Sequence, residues 1–225
     1  MNAGPIPVIA IDGPSASGKG TVAKAVARAL GFHLLDSGAL YRLVALAALN
    51  AELPWNDEPG LARLALGLQA GFRGDDIMLE NQIVTENIRS EACSEGASIV
   101  GAVGGVRRAL LRRQRAFRQI PGLVADGRDM GTVVFPDADL KIYLTASVEV
   151  RAERRYKQLK QKGIAATLTA LLKDLRERDE RDMLRSAAPL KPSPEAHILD
   201  TTALTAEAAA DRVLAVYRGL RNDAI

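Results

Sequence analysis

The residues with the plainest chemical meaning stand near the start of the chain. Gly13, Gly18 and Lys19 keep the spacing G-x-x-x-x-G-K within GPSASGKGT. Glycines at those places let successive backbone N–H groups converge on phosphate oxygens, the next helix presents its N-terminus, and the lysine adds a mobile positive charge. Ser15, Ala16, Ser17, Gly20 and Thr21 complete the loop. Gly20 occupies the place where such loops carry the Ser or Thr that meets magnesium, and the next hydroxyl belongs to Thr21. Mg2+ is therefore expected to arrive with a nucleoside triphosphate, held mainly by phosphates and water, with Thr21 or Asp12 as the available protein help. No dedicated metal site is expected. The loop by itself fits an ATPase, a GTPase or a kinase.

Two further segments offer groups for a second anion. DSGALYR places Ser37 and Arg42 near the start of a helix that Asp36 can cap, so a hydroxyl and a guanidinium can meet a phosphate there. GRDMGT places Arg128 and Asp129 side by side after an apolar segment. Either segment is also compatible with an ordinary cap or turn.

These residues need a scaffold, and the hydrophobic pattern supplies one. Residues 6–12 read as a buried strand running into the loop, and Val22, Ala23, Val26, Ala27 and Leu30 recur at helical spacing before Gly31. Residues 32–35 form a short apolar piece, followed by a second helix through Leu49. Residues 54–74 look irregular, and IMLENQIVTENIRS reads as short strands or a hairpin. A helix is expected over residues 103–118, then buried strands in GLVADGRDMGTVVF and LKIYLTAS separated by a polar loop. Helices are expected over residues 149–162 and 168–184 with a break at Gly163, a last strand at AHILD, and a closing helix over residues 206–220. Strand and helix alternate, which favours an α/β fold of three layers around a mostly parallel sheet. In such sheets ligands bind at the carboxyl ends of the strands, where both the phosphate loop and GRD fall. The two helices near residues 149–184 carry alternating acids and arginines. They suit either a mobile flap over a site or a solvated hairpin held by surface ion pairs.

Composition narrows the partner. In 225 residues, 30 Lys and Arg against 27 Asp and Glu leave +3, too little to imply a nucleic acid, and 4% aromatics leave few stacking surfaces for one. Arginines nevertheless cluster at residues 107–118 and 151–185, which suggests a small polyanion. Cys93 is the sole cysteine and His33 and His197 the sole histidines, so neither a disulfide nor a clustered metal site is expected. No apolar stretch is long enough for a membrane span, and the first residues lack the features of a signal peptide. A cytoplasmic protein without a membrane partner is the expectation.

IDGPSASGKGT, LLDSGALYR, VRRALLRRQRAF, PGLVADGRDMGTVVFPDADLKIYL and ERDERD with the following AAPL together resemble bacterial cytidylate kinases, a family of P-loop nucleoside monophosphate kinases. The resemblance runs through most of the chain in the same order. It implies a P-loop core over residues 1–63 and 93–225, an inserted monophosphate-binding domain over 64–92, and a helical lid over 155–184. It implies that MgATP donates its terminal phosphoryl group to CMP or dCMP, that residues 15–21 hold the donor phosphates, and that the protein works as a monomer without nucleic acid.

By the same resemblance Ser37, Arg42 and Arg128 meet the acceptor. Ser98, Arg107 and Asp129 read cytosine, Asp182 takes the sugar, and Arg185 takes phosphate. Arg178 and Arg181 close over the transferred group. Lys19, Arg42, Arg128, Arg181 and Arg185 are thus the expected catalytic residues. Two other readings fit the loop: a kinase for another nucleoside monophosphate or small acid, and a P-loop NTPase switch with RNA affinity.

Overall fold

Five consecutive residues with no solvent face, VIAID, form β1 (Val8–Asp12), and all five are buried. A strand of that kind must be paired on both edges and covered on both faces. A computed structural model describes residues 5–222. In it β1 leads through the phosphate loop to α1 (Lys19–Leu30), which Gly31 ends at φ 66. β2 (His33–Asp36) follows, and the Asp36 carboxylate then accepts the Ala39 N–H to cap α2 (Ser37–Asn50). Next come α3 (Glu58–Leu66), β3 (Ala70–Arg73), β4 (Asp76–Leu79), β5 (Gln82–Ile83), α4 (Glu91–Val100) and α5 (Gly104–Arg115). The chain finishes with β6 (Leu123–Gly127), β7 (Leu140–Thr145), α6 (Val148–Gln161), α7 (Leu168–Leu184), β8 (His197–Asp200) and α8 (Ala206–Asn222).

The chain divides into two compact units. The first holds residues up to Leu35 and from Phe117 onward, the second Asp36–Ala116. In the first, five strands lie in the order β2-β6-β1-β7-β8. β1 runs parallel to β6 and β7, with Asp12 level with Gly127 and Tyr143. That register brings the ends of β1 and β6 to one height while β7 runs on to Thr145, which is why the phosphate loop after β1 and Arg128 after β6 leave the sheet together. Ile9, Ile11, Val124, Ile142 and Leu144 pack against Val22 and Val26 of α1 and Val213, Leu214 and Tyr217 of α8. α6 and α7 carry a separate small core of Ala152, Leu159, Leu171 and Leu175, with Gly163 between them in the left-handed region at φ 72. The fold is the expected three-layer α/β arrangement around a mostly parallel sheet.

The second unit contains α2 to α5 and an antiparallel sheet, β3-β4-β5. Glu80 and Asn81 both have positive φ, 50 and 66, and so supply the tight turn between β4 and β5. Residues 64–92, the proposed monophosphate-binding insertion, include all three of these strands. The sequence reading of 54–74 as irregular missed α3. Asp57 there accepts the Gly60 N–H and a proline sits in the first turn, so residues that look like breakers are start signals. α5 stops at Arg115 rather than at 118. Beyond it Arg118 leaves the helical path to donate to the Ile6 carbonyl (2.7 Å) and to Asp137 (2.6 Å). No helix among the described residues is long and apolar enough to cross a membrane.

Candidate active site

The phosphate loop begins at a place only glycine can occupy. Gly13 has φ 154, and a Cβ there would lie 2.0 Å from the Leu144 carbonyl oxygen, inside the backbone of β7. The chain therefore turns tightly at the carboxyl end of this central strand and reaches Gly18, which caps α1 at φ 94 and leaves the first helical N–H groups facing the loop. Lys19 is buried and its Nζ donates to the Pro14 carbonyl at 3.1 Å, so the ammonium lies folded over the loop. Ser15 and Ser17 are buried, whereas Gly20 and Thr21 are exposed at the helix start.

Two carboxylates stand beneath the loop. A Cβ on Gly20 would lie 3.1 Å from Asp126 Oδ2, so the space that a hydroxyl-bearing side chain would enter faces a carboxylate. Asp12 is committed elsewhere: its two oxygens accept the N–H groups of Met130 and Gly131, each at 2.8 Å. These bonds fold the segment after Arg128 and Asp129 into one wide helical turn, Met130–Val134, in place of the polar loop that the sequence suggests.

Burial is the main influence on Asp12. It outweighs the two backbone donors and, with the charges of Asp129 and Asp126, pushes the carboxyl from 3.8 up to about 7. Between those values the unfolded chain has already lost this proton while the folded protein keeps it. The Asp12 contribution therefore makes stability fall as pH rises through that window and level off above it. Urea midpoints measured from about pH 4 to about pH 8 are expected to show this fall in the wild type, and Asp12→Asn is expected to remove that part of the slope. Parallel pH profiles for the two proteins would rule out Asp12 as the source.

The second half of this unit's site is a network of arginines and carboxylates. Arg128 Nη2 donates to Ser15 Oγ at 2.8 Å, its Nε donates to Asp182 Oδ2 at 2.9 Å, and Nη1 donates to the Gly127 carbonyl at 3.2 Å. Burial disfavours the charge on Arg128, but Asp182 more than compensates and holds its pKa above the ordinary value. Burial likewise works against the Asp182 carboxylate. Arg128, followed by Arg178 and Arg185, overcomes it and keeps Asp182 below the usual carboxylate range. Arg185 lies 3.8 Å from Asp129 Oδ1 and 4.0 Å from Asp182 Oδ1, and its Nε donates to the Ala188 carbonyl at 2.6 Å. Arg128, Asp129, Asp182 and Arg185 are thus brought together in one network. Arg178 and Arg181 stand half-buried on α7.

Within the second unit, Ser37 is buried at the first position of α2 and Arg42 is half-buried one turn further on. Ser98 is buried on α4. Arg107, buried on α5, donates to the Gly101 carbonyl at 3.2 Å, and its guanidinium carbon lies 5.9 Å from the centre of the Tyr41 ring. Among the described residues no three His, Cys, Asp or Glu side chains gather as a metal site.

Motif spacing in the sequence points to no role for Asp126, Arg151, Arg154, Asp179 or Thr201. Arg151 donates through both terminal nitrogens to the Asp179 carboxylate, and Arg154 donates to Thr201 Oγ1 at 3.2 Å. Asp126, one residue before Gly127 at the end of β6, has the one clue that position in a strand provides. The arginine pairs have no local signature.

A family model described as cytidylate kinase matches residues 9–219 of this chain. A cytidylate kinase of Burkholderia thailandensis is 60% identical over 216 residues, which cover 96% of this chain and 95% of that protein. A cytidylate kinase of Bordetella bronchiseptica is 58% identical over 217 residues, covering 96% and 97%.

Proposed function

The chain belongs to the cytidylate kinase family, and on that premise we propose how its residues divide the reaction. The enzyme transfers the γ-phosphoryl group of ATP directly to the phosphate of CMP or dCMP, giving ADP with CDP or dCDP. An acceptor phosphate is largely ionised near neutral pH, so no strong general base is needed. Positioning, charge neutralisation and exclusion of water carry the catalysis.

Residues 15–21 hold the donor phosphates with their N–H groups, and Lys19 stabilises the charge that moves with the phosphoryl group. Arg42, Arg128, Arg181 and Arg185 align the acceptor phosphate and balance the transition state. Ser37 assists them, Asp182 takes the sugar hydroxyls, and Arg178 closes with α7. Ser98, Arg107 and Asp129 read the base. Residues 64–92 serve as the monophosphate-binding insertion that divides the P-loop core into 1–63 and 93–225, and 155–184 serve as the lid within the second core segment, in a cytoplasmic monomer.

The observation that supports this division best is Arg128. One guanidinium joins a hydroxyl of the phosphate loop, Ser15, to the proposed sugar ligand Asp182 on α7. A charge in that place feels both the donor and the acceptor.

The site's donor set fits magnesium brought in by the nucleotide. Asp126 faces the space above Gly20, suited to a hydrated cation, whereas both oxygens of Asp12 already accept backbone N–H groups. The chemistry such a cation would supply is neutralisation of the charge that develops on the donor phosphates. Asp126 would hold it through water.

ADP formation from MgATP is the direct test, with CMP, dCMP, UMP, AMP, GMP and no acceptor in parallel and the diphosphate product identified. Turnover is expected with CMP and dCMP, and slow hydrolysis without an acceptor, because closure withholds the phosphoryl group from water. Main activity with another monophosphate would overturn the assignment of the base-reading residues. Acceptor-independent hydrolysis would overturn the kinase reading itself.

A further inference from the structure

A phosphate loop works only while its N–H groups face inward, which requires its carbonyls to be turned outward and held. Here the carbonyls on either side of Ala16 have built partners. The Ser15 carbonyl accepts from Arg151 Nη1 at 3.1 Å. The Ser17 carbonyl accepts from Arg154 Nη1 at 3.0 Å and lies 3.1 Å from the hydroxyl of Thr201. Ala16 between them sits at φ 57, the left-handed region that residues with a Cβ occupy only when their surroundings impose it.

Neither arginine is a casual contact. Arg151, with its side chain 6% exposed, also donates to the Ala146 carbonyl at 3.1 Å and makes a double bond-pair with Asp179 of α7. Arg154, one turn along α6, donates as well to the Thr201 hydroxyl (3.2 Å) and carbonyl (2.6 Å). Thr201 is buried, and its hydroxyl also lies 3.0 Å from the Thr145 carbonyl at the end of β7. The loop's outer face is thereby fixed to α6, to the end of β7 and to the segment after β8.

We propose that Arg154 and Thr201 are positioning residues for the donor nucleotide. They hold the Ser17 carbonyl outward so that the adjoining N–H groups stay aimed at the phosphates. Arg151 does the same at Ser15, and through Asp179 makes the shape of the loop depend on the position of α7. This rests on the reading that the loop binds ATP, and it adds residues that act on ATP only through the loop.

The test uses Thr201→Val, which keeps the shape and removes the hydroxyl, with Thr201→Ser as the conservative partner. A second variant, Arg154→Lys, keeps the charge but loses the two-pronged geometry. The readouts are the Kd for ATP without acceptor, the KM for CMP, and Tm. Thr201→Val and Arg154→Lys are each expected to weaken ATP binding by about 3- to 10-fold, the scale of one or two net hydrogen bonds. The KM for CMP is expected to stay at the wild-type value, and Thr201→Ser to restore ATP binding.

A lowered Tm with unchanged ATP affinity in both variants would overturn the proposal, because the contacts would then hold the fold and not the loop. Equal losses for ATP and CMP, or no rescue by serine, would overturn it as well. The ATP titration contains no acceptor, so a different acceptor specificity would show only in the monophosphate panel. The two failures remain separate.

Discussion

Lys19→Met is expected to lower kcat by about 10²- to 10³-fold, the scale for removing one group that stabilises transition-state charge. Methionine keeps a flexible stem of similar length at the buried position of Lys19, so the packing of α1 survives. A positive charge at the first residue of a helix opposes the helix dipole, so its removal does not weaken α1. What disappears is the ammonium, which lies 3.1 Å from the Pro14 carbonyl and can exchange that partner for a donor phosphate. The loop N–H groups remain, so ATP still binds, and the affinity for CMP should hold. Steady-state kinetics with a separate CMP titration measures both. A variant that keeps more than about a tenth of the wild-type kcat would remove Lys19 from the catalytic residues.

The phosphate loop was legible because its residue types are forced one at a time. Gly13 cannot carry a Cβ without entering the backbone of β7, and Gly18 and Gly31 both take left-handed conformations at the ends of α1. Such constraints act within a few residues and leave a pattern that spacing reveals. GRD was legible for a related reason: it follows a fully buried strand, and strand ends in a parallel sheet point to the ligand. α3 was obscured because Asp57 and its neighbouring proline are residues used both to break helices and to start them. The clamp on the loop was not legible at all. Arg151 meets Asp179 28 positions away, and Arg154 meets Thr201 47 positions away. Asp12 meets Met130 across 118. Pairings at that range depend on how the helices pack and on the order of strands in the sheet, which local pattern does not encode.

The arginine clusters also acquire a more definite meaning in three dimensions. Charge pattern alone left α6 and α7 between a lid and a solvated hairpin held by surface pairs. Arg176 with Glu149 and Lys173 with Glu177 are exposed pairs of the second kind, worth little. Arg151 with Asp179 and Arg128 with Asp182 are different, because these partners are largely withdrawn from water. Arginines gathered without phosphates would repel one another. The interleaved carboxylates hold them in place before any nucleotide arrives, so less ordering remains to be done on binding. Asp182, kept ionised by Arg128, serves that purpose independently of its proposed contact with the sugar.

Asp129→Asn is expected to change which base the enzyme accepts. An ionised carboxylate can only accept hydrogen bonds, so it suits the amino group of cytosine and opposes the carbonyl that uracil has at that place. Asparagine can present either its oxygen or its NH2, and the opposition to uracil disappears. Sites that read a substrate through buried polar groups discriminate by about 10⁴-fold or more, so the ratio of kcat/KM for CMP over UMP should fall by at least about 10²-fold. The wide turn that follows Asp129 should survive, because the N–H groups of Val133 and Val134 bond to its backbone carbonyl and not to its side chain. One other effect accompanies the substitution. Arg185 lies 3.8 Å from this carboxylate, and losing the charge alters how Arg185 is held. With Arg185 in its proposed role, that effect falls on the acceptor phosphate, which CMP and UMP share, so it lowers both activities together and cancels in their ratio. A collapse of the ratio therefore identifies Asp129 as a base-reading group. Equal losses for the two substrates would instead assign it to holding Arg185.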